Sequence, residues 1–199
     1  YTLPLVYGNG IKDGQPNPSA YTSTAQPSGG ANASHILRQF IDYKQAAITD
    51  PYIYNKYTAA NACLVWQDAQ ELISDVKLSA DGRNLTFSVS KESIQQGNAI
   101  VGIRDSGGSF IWSWHIWATD YDPDAEGGTV DFNGYTLMNR NLGAQANDNS
   151  TTDKILASYG LYYQWGRKDP FIGPNTYQGS EGSGASMYSG SCLLYTSPS

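Results

Sequence analysis

Asp120, Asp122, Asp124 and Glu126 place carboxylates at alternate positions of one short stretch, with Asp131 a little further on. Calcium takes several hard oxygens from a flexible loop, so this spacing could make a calcium site with Asp120, Asp122 and Asp124 as ligands. The calcium-loop template fits poorly, however. Counting from Asp120, the sixth place holds Ala125 where the template has Gly, and the twelfth holds Asp131 where it has Glu. A solvated acidic linker is therefore the better reading, and no resident cofactor is expected. Paired carboxylates also serve glycosidases, but such a pair flanks a sugar from separate rigid elements, which acids on one loop do not provide. The chain has two histidines, His35 and His115, and no HExxH. Neither has the nucleophile or acid partner of a catalytic base, and His115 reads as a hydrogen-bonded strand residue. No catalytic residue is assigned, and a glycoside-active enzyme is the weakest of three functional readings.

The aromatic side chains offer different chemistry. Tyr52, Tyr54, Tyr57, Tyr162, Tyr163, Trp165 and Tyr188 lie outside the clearest strands. Flat rings stack on sugar rings while their polar tips hydrogen-bond, which suits glycan recognition. Tyr162, Tyr163 and Trp165 are the expected ligand-binding set. Packing competes for every such ring, and Trp66, Trp112 and Trp114 are assigned to the core.

The elements that must position these groups are strands. Two apolar runs, residues 99–104 and 110–118, flank Asp105-Ser106-Gly107-Gly108, a hairpin signal. In the second run Phe110, Trp112, Trp114 and Ile116 share one face, while Ile111, Ser113, His115 and Trp117 share the other. Bulk on both faces predicts a strand inside a sheet covered on both sides. Further strands are expected at residues 1–7, 62–67 and 72–79, and at 85–89 after a turn at Asp81-Gly82. Asn133-Gly134 is the strongest short hairpin signal, joining Val130 and Phe132 to Tyr135 and Leu137. A helix is expected after Ser34, where Ile36, Leu37, Phe40 and Ile41 recur at helical spacing, until Asp50-Pro51 stops it. Tyr52, Tyr54 and Tyr57 follow at near-strand spacing. Residues 91–96 read as one helical turn, residues 153–163 as a short helix running into an aromatic strand, and residues 174–191 as a poorly ordered tail.

Composition bounds the class. With 199 residues, 40% of them hydrophobic, the chain can bury a core, and 21 Gly and 15 Tyr with 15% charged residues favour strands and turns over a helical bundle. A net charge of −6, with 12 scattered basic residues, argues against nucleic acid and anionic membranes. No apolar run is long enough to span a bilayer. The chain starts at Tyr1 without Met, in what reads as a strand already under way, so a preceding segment that could carry a secretion signal is expected. At the other end CLLYTSPS, residues 192–199, resembles the translated read-through of a transposon-end sequencing adapter, so the natural protein is expected to continue beyond about Ser191. Setting Cys192 aside leaves Cys63 alone, which predicts no internal disulfide, no cysteine zinc site and an inert buried thiol.

Several motifs together resemble a family. ACLVWQ at residues 62–67, GNAIV at 97–101, WSWHIW at 112–117, NLGA at 141–144 and GLYYQWGRKDPF at 160–171 look like secreted, surface-anchored fimbrillin-like proteins of gut Bacteroidota. The last motif also resembles the opening of the Fibrobacter succinogenes major paralogous domain, related to C-type lectins. Asn139 departs from the pattern, since similar sequences tend to place Asp before Arg-Asn-Leu-Gly; if that Asp closes an ionic contact with Arg140 or a metal, this chain lacks it. The resemblance implies a mainly β chain: an Ig-like β-sandwich over residues 1–122 with a helical insertion at 11–61, and a linker at 123–128. A truncated α+β lectin-like domain follows at 129–191, ahead of the adapter-like residues 192–199. It further implies a non-catalytic lipoprotein-type adhesion or glycan-binding protein at the extracellular or outer-membrane surface, with a glycan or surface protein as partner. The alternative is a structural fimbrial subunit or spacer capable of self-assembly.

Overall fold

The computed structural model describes residues 1–22, 40–92, 94–164 and 167–173, with the backbone of Tyr188 and Ser189. In chain order the strands are β1 (Thr2–Pro4), β2 (Ile11–Lys12), β3 (Gln15–Pro16), β4 (Asn61–Gln67), β5 (Ser74–Leu78), β6 (Asn84–Ser88), β7 (Gly97–Arg104), β8 (Phe110–Ala118), β9 (Thr129–Phe132) and β10 (Tyr135–Met138). Helix α1 (Thr152–Ser158) and strand β11 (Tyr188–Ser189) complete the order. The chain is mainly β with little helix. Its larger sheets run β11-β4-β7-β8 and β1-β6-β5, beside the two-stranded pairs β2-β3 and β9-β10. Among the described residues no helix is long and apolar enough to cross a membrane.

The chain divides into two compact units, and each of β4, β5, β6, β7 and β8 contributes residues to both. The first comprises Tyr1–Ala62, Asp75–Phe87 and Gly102–Trp114. Antiparallel pairing of β1 with β6 puts Leu3 opposite Leu85, and Leu5, Tyr7, Ile48, Ile53 and Leu85 are buried around it. Asp105 closes the β7–β8 turn by accepting hydrogen bonds from the Gly107 and Ser109 amides at 3.0 and 2.9 Å. Asp81 does the same at Asp81-Gly82, where Gly82 has a φ of +67°.

The second unit comprises Cys63–Ser74, Ser88–Val101 and His115–Ser199. In it Val65, Trp66, Leu72, Ile73, Ala99, Ile100 and Val101 are buried. The β9–β10 hairpin turns through Asn133 and Gly134, both at positive φ, as a two-residue hairpin requires. Its register pairs Phe132 with Tyr135 and Val130 with Leu137, so one face of the ribbon carries large aromatic and aliphatic side chains. All four residues are exposed.

Several expectations need correction. The covered strand is β7, seven of whose eight residues are buried, and β8 is the outermost strand of its sheet. A continuous apolar run, here Ala99 to Val101 and Ile103, marks a doubly covered strand better than two bulky faces do. Trp112 and Trp114 are accordingly half-buried, whereas Trp66 is core as expected. The expected helix after Ser34 is absent from its described part: Ile41 bridges Ala47 around a tight loop instead. His35, Ile36 and Leu37 lie outside the described residues. Tyr54 lies in a 3-10 turn, Ile53–Asn55, with Tyr52 before it and Tyr57 after it, and not in a strand. Asp50 organises that turn, accepting from the Tyr52 amide and the Asn55 side chain, both at 2.8 Å. The described part of residues 91–96 is bent or extended, without a helical turn. Cys63 is disulfide-bonded. It is therefore not the lone inert thiol that was expected. Tyr188 and Ser189 of the expected tail pair with Gln67 and Trp66 as β11.

Candidate functional site

The acidic stretch lies within the second unit and scatters its carboxylates. Asp120 pairs with Arg140 at 3.1 Å, and Asp122 Oδ1 accepts from the Asp124 amide at 2.9 Å. Among the described residues no three His, Cys, Asp or Glu side chains come together as a metal site would require. The ion pair also bears on Asn139. Arg140 finds its carboxylate twenty residues earlier, and the Asn139 amide instead donates to the Gly127 carbonyl. Arg140 lies over the Tyr121 ring at 5.1 Å, and that ring packs on Trp117.

The aromatic set fares differently. Helix α1 is capped by Thr151, whose hydroxyl accepts from the Lys154 amide at 3.3 Å, and ends before Gly160, which turns at a φ of +71°. The chain then runs through buried Leu161 to Tyr162 and Tyr163, exposed by 52% and 50%. Tyr162 and Phe171 exchange both backbone hydrogen bonds, at 3.1 and 2.8 Å, which puts their side chains on the same face. Phe171 is also exposed. Trp165, the third member of the expected set, lies outside the described residues.

Behind these rings stands a buried polar network that the sequence reading missed. Asn98, in β7, donates its amide to Asp68 Oδ2 at 2.7 Å and to the Gly143 carbonyl at 2.9 Å, while its backbone N–H meets Asp68 Oδ1 at 2.6 Å. With both amide protons given away, Asn98 Oδ1 is an acceptor, so His115 must donate Nε2–H across 2.9 Å and is the neutral Nε2 tautomer. Gly143 links the network to the rings. It sits at a φ of +84°, and a Cβ there would come within 2.6 Å of Leu161, the residue before Tyr162. The Leu161 amide in turn donates to the Leu142 carbonyl at 3.2 Å. A polar residue in the run GNAIVG was the available signal, because an Asn there needs partners wherever the strand is buried.

Burial sets the charge states. It pushes Asp68 up despite the two hydrogen bonds from Asn98. It pushes His115 down to about 4, against the attraction of the Asp169 carboxylate. Lys168, which pairs with Asp169, is also lowered by burial. The His115 shift predicts an acid limb in stability. Above pH 6.5 the ring is neutral in both states; between 6.5 and about 4 only the unfolded chain takes up the proton, so stability falls as pH falls. The loss reaches about 3 kcal/mol. Asp68 acts in the opposite sense, adding stability below its raised folded pKa. Urea midpoints taken across this range should therefore slope in the native chain and flatten in His115→Gln; equal slopes would remove His115 as the cause.

No family model matches the chain, and neither a curated protein nor a solved structure matches it.

Proposed function

We propose that this chain is a non-catalytic glycan-binding or adhesive piece of a cell-surface protein, built as an Ig-like sandwich followed by the start of a lectin-like domain. The observation that supports this is the display of Tyr162 and Tyr163. Half-exposed rings on a segment tied down by Phe171, Gly143 and Leu161 lose little freedom when a sugar stacks on them. The test is calorimetry against the glycans selected by an array. A stacked ring contributes about 1 kcal/mol, so Tyr162→Ala and Tyr163→Ala should each weaken binding roughly five- to tenfold. Thermal unfolding should stay unchanged, since neither ring is core.

The apolar face of β9–β10 favours a second reading, a structural subunit or spacer. Val130, Phe132, Tyr135 and Leu137 form the kind of surface that pairs with another protein surface. Concentration-dependent assembly without ligand, together with no glycan bound, would replace the first reading with this one.

A further inference from the structure

We infer that the aromatic surface selects acidic glycans, with Arg167 as the group that takes the sugar carboxylate; this rests on the glycan-binding reading above. Arg167 is fixed by two contacts. Its Nε–H donates to the Asp169 carbonyl at 2.9 Å, and its guanidinium lies 4.0 Å from the centre of the Phe171 ring. Phe171 is the backbone partner of Tyr162, so the guanidinium lies over a ring on the same face as Tyr162, one of the rings that would stack a sugar. With Nε committed, the Nη1 and Nη2 edge is the part of the fork that remains, and its spacing matches the two oxygens of a carboxylate.

Among the described residues the charge of Arg167 is also unanswered. None of the ion pairs among the described residues uses it, and the neighbouring Asp169 carboxylate is taken by Lys168. A guanidinium that has no carboxylate partner among the described residues and lies over an exposed aromatic ring suits a ligand that is flat and apolar on one face and anionic at its rim. A hexuronic acid has that form. The net charge of −6 repels polyanions at long range, so the attraction is a short-range one that salt weakens.

The experiment is calorimetry of the full chain against a short oligogalacturonate and its fully methyl-esterified form, which share a backbone and differ in charge. The free acid should bind at least about tenfold more tightly at low salt, the gain a charge-assisted bidentate pair supplies. Arg167→Gln should bring the acid down to the ester and leave the ester unchanged, whereas Arg167→Lys should keep part of the preference as a point charge. Thermal unfolding of both variants shows whether either has lost its fold; if Arg167→Gln has, Arg167→Lys carries the comparison. Equal affinity of the native chain for acid and ester overturns the inference while sparing the glycan reading, as does a preference that survives Arg167→Gln. If neither form binds and the array of neutral glycans is also blank, the glycan reading falls and this inference falls with it.

Discussion

Asn98→Leu is expected to destabilise the chain by roughly 3–5 kcal/mol, the cost of stranding several buried polar groups at once. Leucine fills a similar volume, so packing contributes little to that figure. What is lost is the side chain that, among the described residues, meets Asp68, Gly143 and His115 together. The Asp68 carboxylate keeps the backbone N–H of residue 98 but loses the amide, in a place where burial already raises its pKa. Set against a typical domain stability of about 5–15 kcal/mol, this is a large fraction. Asn98→Asp should be no milder, because it replaces two donors with acceptors and sets a second carboxylate against Asp68. The measurement is the urea midpoint at neutral pH, with the slope unchanged if the unfolded state is unaffected. A shift below about 1 kcal/mol for the leucine variant would show that water satisfies these groups as well as Asn98 does.

The same residue shows what the sequence discloses and what it withholds. The turns at Asp81-Gly82, Asp105 to Gly108 and Asn133-Gly134 are legible because each depends on residues within the turn, a short acceptor side chain or a glycine at positive φ. The strand order is not local. Phe110 to Ala118 carries bulk on both faces, yet lies at the side of its sheet, because which strand is covered depends on pairing across distance. Asn98 stands between these cases. Its presence in an apolar run signals a buried polar requirement, but its partners at residues 68, 115 and 143 have no spacing that a scan along the chain could detect. Within the proposed surface, Tyr162 and Tyr163 were legible as aromatics beside a turn. Arg167 was not, since its significance comes from the Phe171 ring beneath it and from the absence of a carboxylate partner among the described residues.

Asp42 carries the second large effect, in the first unit, and it explains why helical spacing misled there. Its side chain is 0% exposed, and its oxygens accept four hydrogen bonds. Oδ1 takes the Lys44 and Ala46 amides at 2.9 and 3.0 Å, while Oδ2 takes Lys56 Nζ and Tyr57 Oη, both at 2.6 Å. The first pair winds residues 42–46 into a tight turn that a helix cannot accommodate, and Gln45 adopts a φ of +61° to close it. The second pair fastens that turn to the 3-10 segment carrying buried Ile53, so the Ile41 periodicity yields to a carboxylate whose partners lie fourteen and fifteen residues on. Burial pushes the Asp42 carboxyl up, but the hydrogen bonds from Lys56, Tyr57 and the two amides outweigh it and hold the group below the usual carboxylate range. Its stabilisation is therefore present above the ordinary pKa of 3.8 and is lost as pH falls through the lowered folded value. Asp42→Ala is expected to cost about 3 kcal/mol, because it leaves two amides and a tyrosine hydroxyl without their acceptor; Lys56, which is partly exposed, can turn to water. Asp42→Asn separates charge from shape: its carbonyl can still receive the amides, but its NH2 faces Lys56 and Tyr57, donor against donor, so it should recover less than half of the loss. Thermal or urea unfolding of the two variants at neutral pH decides the matter. If asparagine restores the native midpoint, the turn needs an acceptor and nothing more, and the link between residues 42–46 and the 3-10 segment contributes little.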